Sequence, residues 1–576
     1  MTRGNTLTLP TGIDSFRELR RRQKYYIDKT LMISDFIQYD EKVTLITRPR
    51  RFGKTLNMTT LRDFFDIEQN NKDIFDDLAI MDTEYANQIN SRPTIYFTFK
   101  SCSGTNIEAL KVSIAHVVKE AYYTYAKLFR DKLNMDDYAY REFNHILKSF
   151  VEMDTFVKDR PKQIDTDPLK RSLLVLIRTL ADFYQKPVLL LIDEYDQPLL
   201  NAHESGFREQ FSKEVYGDFL GDALKGNESF GQSLVTGIQR IAKESIFSKL
   251  NNISVFTVGD EMYAPYFGLT ELETKLVLED NGLVLTDEVK NYYDGYNFGG
   301  IEVYNPWSIL SYITKKRLDS YWINTSTNLL IRQLVLNAHS NFKDDFEELI
   351  MDGIVEISAN LEASFIELDT PSTLWGLLIN AGYMTIMEQF GLREYVVRIP
   401  NHEVKAEFRS IVELYVNITE DQLTPLFSAL FNKNMPRFLK LYRKLILNCV
   451  SFHDAPADEE NKLAENSFHM LFLGMSMMAS GMYKIKSNRE TGDGRSDIIM
   501  TSLHPTERPH IIIEFKQGEN LPKIAQVALD QILENRYYAE LTGKVLCIGI
   551  AHSKKRCELI HQEIEVDAYG EIINSL

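Results

Sequence analysis

The chain has 576 residues, 44% hydrophobic and 26% charged, a composition that excludes a disordered or fibrous protein. Because a typical domain uses about 150 residues, we expect several domains. The formal net charge of −17 argues against a uniformly basic, nucleic-acid-binding surface. The first 62 residues are the exception, with 13 Lys and Arg against six Asp and Glu.

Cysteine usage and hydropathy indicate a cytosolic protein without a membrane partner. The four cysteines are too few and too widely separated for a disulfide framework or a zinc cluster, so we expect free thiols in a reducing compartment. The N-terminus shows no apolar signal region, and no stretch reaches the ~18 apolar residues that span a bilayer.

The first 260 residues alternate strand patterns with helical ones. Apolar, β-branched runs predict five strands, at residues 42–47, 94–99, 188–192, 233–236 and 254–258. Helical spacing at 56–65 follows the first of them. The run at 188–192 is apolar throughout, as a strand buried on both faces requires. Strands separated by helices predict a P-loop-like, three-layer α/β/α core with a mainly parallel sheet.

The segment RPRRFGKT at residues 48–55 connects the first predicted strand to the first helix, which is the context of a phosphate-binding loop. Helix N-termini bind phosphate because their N–H groups lack partners within the helix and the dipole favours an anion. Lys54 would reach the β- and γ-phosphate oxygens of ATP, and the Thr55 hydroxyl would bind Mg²⁺. The candidate nucleotide-binding residues of this loop are Arg50, Arg51, Phe52, Gly53, Lys54 and Thr55.

This loop departs from the usual pattern G-x-x-x-x-G-K-[ST], because Arg48 replaces the first glycine. A basic helix start is therefore the alternative interpretation of the loop.

Polar residues follow two further predicted strands. Asp193 would hold Mg²⁺ through water, and Glu194 would orient or deprotonate the attacking water, unless the acidic pair simply ends a buried strand. Thr236 is a candidate γ-phosphate sensor or a helix cap. Arg240 is a candidate arginine finger or a solvated helix residue.

These motifs, together with YYIDKT, LLLIDEYDQPL and TGIQRIAKESIFSKLNN, resemble the bacterial AAA-ATPase-like family over about residues 7–260. That family commonly has Arg at the first P-loop glycine position, so the resemblance implies an ATPase despite Arg48. YNPWSIL, YWINTSTN and LWGLLINAGYMT resemble the middle region that usually follows. Residues 261–452 are predicted to be mostly helical, and we interpret the aromatic residues of these motifs as core and turn residues rather than a binding site.

The C-terminal residues predict a compact α/β unit. The acidic, proline-containing segment 453–460 is the predicted linker. The patterns beyond it predict a helix at 461–482, strands at 496–500 and 510–515, a helix at 522–541 and a strand at 544–550.

Three charged residues lie on the two neighbouring strands of this unit. Alternation places Glu514 and Lys516 on one face of their strand. In a hairpin, Asp497 and Glu514 could share a Mg²⁺ ion, while Lys516 positions water or neutralises a phosphate. The alternative is that E-x-K occurs here by chance. Glu465 is a candidate extra metal ligand or an exposed residue, and Gln531 is a polar residue where an apolar one is expected.

The αββαβ order, with SDIIM, HIIIEFKQG and AQVALDQILENRYY, resembles the restriction-endonuclease-like PD-(D/E)XK nuclease superfamily over about residues 460–565. The resemblance implies Asp497, Glu514 and Lys516 as catalytic residues, with Glu465 and Gln531 in support. A related branch has Q-x-x-x-Y on the last helix, and here Asn535 replaces the tyrosine.

The predicted domains are an ATPase at 1–260, a middle or lid region at 261–452 and a nuclease-like domain at 453–576. We expect ATP to control a Mg²⁺-dependent nuclease acting on DNA rather than RNA, as in defence or mobile-element systems. The alternative is a nucleotide-switched signalling or scaffold ATPase whose C-terminal domain binds nucleic acid without cutting it. Residues 481–576 hold 12 Lys and Arg against 14 Asp and Glu, so the basic first 62 residues or a homo-oligomer must help to hold DNA.

Overall fold

The computed structural model describes residues 8–129, 138–154, 163–225, 227–240, 253–322, 342, 345–346, 348–349, 353–362, 370–415, 420–450, 482–491, 494–553 and 556–575. The chain divides into two compact units. The first unit consists of Met1–Ile331 and Glu356–Lys405, and the second of Arg332–Val355 and Ala406–Leu576. The domain boundaries expected after residues 260 and 452 stay predictions.

A parallel sheet lies at the centre of the first unit, and it confirms the predicted fold class. Its strands are β1 (Val43–Thr47), β2 (Thr94–Thr98), β3 (Val188–Asp193), β4 (Phe230–Gly237) and β5 (Ile253–Phe256). The helices along this part of the chain are α1 (Phe16–Arg21), α2 (Leu31–Tyr39), α3 (Lys54–Phe65), α4 (Ile107–Phe129), α5 (Tyr138–Asp154), α6 (Thr166–Tyr184), α7 (Gln197–Glu204), α8 (Arg208–Phe211) and α9 (Gly217–Leu224). β1 and β3 are buried along their whole length, as strands covered on both faces must be.

The strand order β2-β3-β4-β1-β5 determines which loops meet. β4 lies between β1 and β3 and pairs with both in parallel. Because the carboxyl ends of parallel strands meet at one edge, the loop after β1, the end of β3 and the end of β4 come together there.

The rest of the first unit combines helices with two small three-stranded sheets. One sheet has the order β6-β8-β7, from β6 (Leu269–Thr270), β7 (Tyr296–Phe298) and β8 (Ile301–Tyr304). The other has the order β10-β11-β9, from β9 (Ile354–Ser358), β10 (Thr385–Gln389) and β11 (Glu394–Arg398), and the first two residues of β9 belong to the second unit. The helices are α10 (Glu271–Asp280), α11 (Asp287–Tyr293), α12 (Pro306–Lys315) and α13 (Pro371–Asn380). The region predicted to be mostly helical therefore also contains strands in its described part.

The chain passes into the second unit within helix α14 (His402–Tyr415), which α15 (Glu420–Phe431) and α16 (Met435–Val450) follow. A six-stranded sheet then runs in chain order from β12 (Tyr483–Thr491) through β13 (Gly494–Ser502), β14 (His510–Gln517), β15 (Gly543–Ser553) and β16 (Arg556–Val566) to β17 (Ile572–Ser575). Helix α17 (Leu521–Glu534) connects β14 to β15, and this pair is parallel.

The predicted ββαβ part of the C-terminal unit is present, but α17 ends at Glu534 and not at residue 541. Arg536 adopts φ +50°, a left-handed conformation that stops a helix. The helix predicted at 461–482 falls almost entirely outside the described residues.

Candidate nucleotide and nuclease sites

The loop between β1 and α3 encloses the Lys54 ammonium group. Lys54 is buried, and its Nζ donates to the carbonyl oxygens of Arg48 and Pro49, each at 2.9 Å. Gly53 precedes the helix with φ +88°, a left-handed conformation that glycine adopts without steric cost. Burial lowers the pKa of Lys54, and the carboxylates of Glu194 and Asp193 oppose that shift. The start of the 12-residue helix α3 thus places free N–H groups beside one buried cation, an arrangement that suits phosphate.

Arg48 is a structural residue of this loop. Its side chain is buried, and Nη1 donates to the carbonyl oxygens of Thr47 at 2.9 Å and Thr257 at 2.6 Å. The guanidinium stands 5.2 Å from the centre of the Phe298 ring. Burial lowers its pKa to about 9, so Arg48 keeps its charge at neutral pH. Arg48 therefore ties the end of β1 to the segment after β5.

Three hydroxyl groups surround the buried Asp193 carboxylate. Thr55 Oγ1 donates to Oδ2 at 2.7 Å, and Thr236 Oγ1 donates to Oδ1 at 2.7 Å. Thr98, at the end of β2, lies 3.5 Å from Oδ2. The structure brings together the predicted Thr55, Asp193 and Thr236 and adds Thr98, which ends β2 and lies one residue before the end of the strand predicted at 94–99. A carboxylate among hydroxyl oxygens is a donor set that fits Mg²⁺, which prefers oxygen ligands.

Glu194 has an unusual backbone conformation. Its φ is +52°, which is uncommon for a residue other than glycine and occurs often at active sites. Burial raises its pKa, and the charge of Lys54 opposes that shift. A carboxylate with a raised pKa close to the P-loop lysine is suited to accept a proton from water.

The other predicted residues of this site lie in different environments. The Phe52 side chain is buried, with its ring centre 4.9 Å from that of Tyr296, so only its backbone can face a ligand. Arg51 is exposed, and its guanidinium lies 4.4 Å from the Trp307 ring centre. Arg240 forms an ion pair with Glu362, and its role at the nucleotide site stays a prediction.

Asp497 and Glu514 face each other across β13 and β14. Asp497 Oδ2 accepts from the backbone N–H of Phe515 at 2.7 Å, and Glu514 Oε2 accepts from the backbone N–H of Asp497 at 3.2 Å. Burial and then the Asp497 charge raise the pKa of Glu514 to about 8. The Lys516 charge opposes the upward pKa shifts of both carboxyl groups. Glu514 is buried and Asp497 is partly buried, and this pair of neighbouring carboxyl groups fits a divalent cation, whose charge would offset the cost of ionising both.

Gln531 is the third group at this site. Its Nε2 donates to Glu514 Oε1 at 2.7 Å and to the Tyr537 hydroxyl at 2.8 Å. Asn535 Nδ2 also donates to that hydroxyl, at 3.1 Å. The chain turns at Arg536, and the Tyr537 hydroxyl accepts from both Gln531 and Asn535. The sequence pattern missed this role because Tyr537 lies beyond the helix. Glu465 lies outside the described residues.

Two family models match separate parts of this chain. Residues 10–247 match the family model of predicted AAA-ATPases, and residues 463–562 match the model of the PD-(D/E)XK nuclease superfamily. A curated relative, an uncharacterized protein in the vnfD 5′ region of Azotobacter chroococcum mcd 1, is 25% identical over 92% of this chain and 92% of its own.

A solved structure of a signal transduction ATPase with numerous domains (STAND), with a tetratricopeptide repeat sensor, from Pyrococcus horikoshii matches with a TM-score of 0.22 and 12% identity. The match covers 80% of this chain and 58% of that one. Among the described residues, no helix combines the length and the apolar character that crossing a membrane requires. The chain carries an AAA-ATPase-like domain followed by a domain of the PD-(D/E)XK nuclease superfamily.

Proposed function

We propose that ATP binding and hydrolysis in the first unit control a Mg²⁺-dependent nuclease in the second unit, which cleaves DNA phosphodiester bonds. The observation that carries the proposal is the buried pair Asp497 and Glu514, with Gln531 bound to Glu514 and Lys516 on the same strand. Burial raises the pKa of both carboxyl groups, and a bound divalent cation would offset that cost.

In the ATPase site, each residue has a distinct task. Lys54 binds the β- and γ-phosphate oxygens, and Thr55 and Asp193 would hold Mg²⁺. Bound there, Mg²⁺ supplies charge neutralisation across the phosphates. Glu194 accepts a proton from the attacking water. Thr236, whose hydroxyl donates to Asp193, lies near the γ-phosphate.

In the nuclease site, Asp497 and Glu514 would hold Mg²⁺, which when bound would supply polarisation of the scissile phosphate and a lower pKa for water. Lys516 stabilises the negative charge that develops on the phosphate in the transition state. Gln531 keeps the Glu514 carboxylate in its orientation through the 2.7 Å hydrogen bond. Tyr537 in turn fixes the Gln531 amide.

The charge distribution favours a homo-oligomer as the DNA-holding form. Arg48 and Lys54 are buried. Five further basic residues among the first 62 form ion pairs, namely Arg17, Arg20, Arg22, Lys29 and Arg62. Three carboxylates outside this segment, those of Asp63, Asp77 and Glu273, therefore offset part of its basic excess. An assembly of several copies would place several of these basic segments along one DNA molecule.

The experiment that tests the nuclease is cleavage of plasmid and linear duplex DNA by the full chain in Mg²⁺, with EDTA as the control. We expect cleavage that requires the metal. Bound but intact DNA in Mg²⁺ would instead support the scaffold function, in which the C-terminal domain binds without cutting.

We expect the stabilisation by Mg²⁺ to increase as the pH rises from 6 to 8.5. Glu514 keeps its proton up to about pH 8 in the fold, whereas an unfolded glutamate ionises near 4.5. Between these values the unfolded chain binds fewer protons, so the free energy of unfolding without metal falls as the pH rises. Mg²⁺ competes with the same proton and therefore binds better at higher pH. Thermal melting at pH 6 and pH 8.5 measures the rise in melting temperature that Mg²⁺ causes. An equal rise at both pH values would contradict the prediction, and so would a rise in Glu514→Gln equal to that of the wild type.

We expect Tyr537→Phe to lower DNA cleavage by about fivefold. The ring stays, but the Gln531 amide loses the hydroxyl that fixes it, and a net hydrogen bond is worth ~1 kcal/mol. Initial cleavage rates measure the effect. Tyr538→Phe, at the neighbouring buried position, is the control and should cleave as the wild type does. Equal rates for the two variants would show that Tyr537 has no part in orienting Gln531.

A further inference from the structure

Residues from the middle of the chain hold the P-loop backbone at Arg50. Trp322 Nε1 donates to the Arg50 carbonyl oxygen at 3.1 Å, and Asn305 Nδ2 lies 3.5 Å from the same oxygen. Trp307 lies against the Arg51 guanidinium. The motifs YNPW and YW therefore contact the loop directly, in addition to filling the core.

Pro49 is held as closely as Arg50. Gly382 lies against it, because a Cβ at Gly382 would stand 2.8 Å from Pro49 Cβ and 3.6 Å from the Trp322 ring. Gly382 also has φ +87°, so a larger residue would both clash with Pro49 and adopt a strained backbone conformation. The Trp322 ring in turn packs edge-on to Tyr383, with ring centres 5.6 Å apart.

A single buried carboxylate joins the segments that hold Arg50. Glu403 Oε1 accepts from the backbone N–H of Trp322 at 2.7 Å, and Oε2 accepts from the Ser308 hydroxyl at 2.7 Å. Ser308 belongs to helix α12, whose first turn Asn305 caps by accepting from the Ser308 N–H at 3.2 Å. Glu403 is wholly buried, and burial raises its pKa to about 7. Removing this carboxylate would leave the Ser308 hydroxyl and the Trp322 N–H without their acceptor.

Glu403 stands at the start of helix α14, within which the chain leaves the first unit between Lys405 and Ala406. Glu403 therefore contacts Trp322 and Ser308, which lie on the two segments that hold Arg50. It also belongs to helix α14, which continues into the nuclease-bearing unit. Helix α14 continues to Tyr415, so its residues after Lys405 belong to the second unit.

We propose that Trp322 and Glu403 are positioning residues that relay the state of the P-loop to helix α14, and through it to the nuclease-bearing unit. The proposal rests on the proposed function, since it names how nucleotide binding controls cleavage. When Lys54 exchanges the carbonyl oxygens of Arg48 and Pro49 for phosphate oxygens, the loop loses two of its hydrogen bonds. The hydrogen bond from Trp322 to Arg50 remains, so a loop displacement acts on Trp322 and then on Glu403.

The test measures thermodynamic coupling between nucleotide and DNA, not turnover. The affinity of the fluorescent, non-hydrolysable nucleotide mant-AMPPNP is titrated with and without a 30-base-pair duplex. All variants carry Lys516→Ala so that the DNA stays intact. Because coupling is reciprocal, the ratio of the two dissociation constants reports how strongly the sites communicate, and about tenfold is expected for the parent chain.

Trp322→Phe keeps an aromatic ring but removes the Nε1 donor, and Glu403→Ala removes both acceptor oxygens. We expect both variants to reduce the ratio to within about twofold of one. Glu403→Gln can still accept from the Trp322 N–H and can donate to Ser308, so it should keep most of the coupling. This rescue separates the relay from a general loss of stability, which thermal melting monitors. Trp375→Phe, the same change at a buried tryptophan of α13, is the matched control and should keep the parent ratio.

The possible outcomes distinguish the two proposals. A parent chain with no coupling would overturn both the control of the nuclease by ATP and the relay. A parent chain with coupling that Trp322→Phe and Glu403→Ala leave unchanged would overturn the relay alone.

Discussion

Lys54→Ala is expected to reduce ATP hydrolysis by about 100- to 1000-fold, the usual loss when one preorganised group that stabilises transition-state charge is removed. Lys54 is the buried cation inside the loop, and the carbonyl oxygens of Arg48 and Pro49 hold its Nζ at 2.9 Å. Phosphate release from ATP by the purified full chain measures the effect. Because Lys54→Ala also removes the donor to two carbonyl oxygens and the charge beside Asp193 and Glu194, thermal melting is measured to check that the variant is folded.

Two further variants make this result specific. Glu194→Gln should bind ATP as the wild type does and yet hydrolyse it poorly, since it keeps Lys54 but lacks the proton acceptor. Lys42→Ala removes another lysine, one residue before β1, and should hydrolyse ATP normally. Full hydrolysis by Lys54→Ala would show that the loop after β1 is not the nucleotide site.

Lys516→Ala is expected to reduce DNA cleavage by at least about 100-fold while leaving ATP hydrolysis unchanged. Lys516 lies two residues after Glu514 on β14, so alternation places the two side chains on the same face of the sheet. Its charge is the one that opposes the upward pKa shifts of both Asp497 and Glu514. The ammonium group is therefore close to the carboxylates and to any phosphate bound through them.

Lys523→Ala is the matched control for this prediction, because Lys523 is exposed on the helix that follows. It should cleave DNA at the wild-type rate. Cleavage by Lys516→Ala at the wild-type rate would show that Asp497, Glu514 and Lys516 do not form a nuclease site. Loss of cleavage in both variants would indicate that the lysines contribute to DNA binding and not to the cleavage step.

Local patterns were sufficient to predict the elements that position both sites. The apolar run before Asp193 and the helical spacing after Gly53 correspond to β3 and α3. The alternation of Glu514 and Lys516 corresponds to β14. These features depend on residues that are neighbours in sequence, which is why periodicity finds them.

Pairings between distant segments could not be predicted in this way. Nothing local indicates that β4 inserts between β1 and β3, and that insertion brings Thr236 to Asp193. The hydroxyl of Tyr537 reaches Gln531 only because the chain turns at Arg536, which no helical pattern reveals.

The aromatic motifs of the middle region show the same limit. Trp322 and Trp307 resemble core residues in sequence, and Trp322 is indeed buried. Their contacts with the P-loop join segments more than 250 residues apart, as the separation of 272 between Trp322 and Arg50 shows. Composition alone cannot separate a tryptophan that only fills a core from one that also holds a functional loop.

If ATP controls the nuclease, the rate of DNA cleavage depends on ATP and on Lys54. Cleavage of linear duplex DNA in Mg²⁺ is compared with and without ATP for the wild type, Lys54→Ala and Lys516→Ala. We predict that ATP changes the wild-type rate by about tenfold or more, that Lys54→Ala cleaves at one rate under both conditions, and that Lys516→Ala does not cleave. A wild-type rate that is the same with and without ATP would contradict the account.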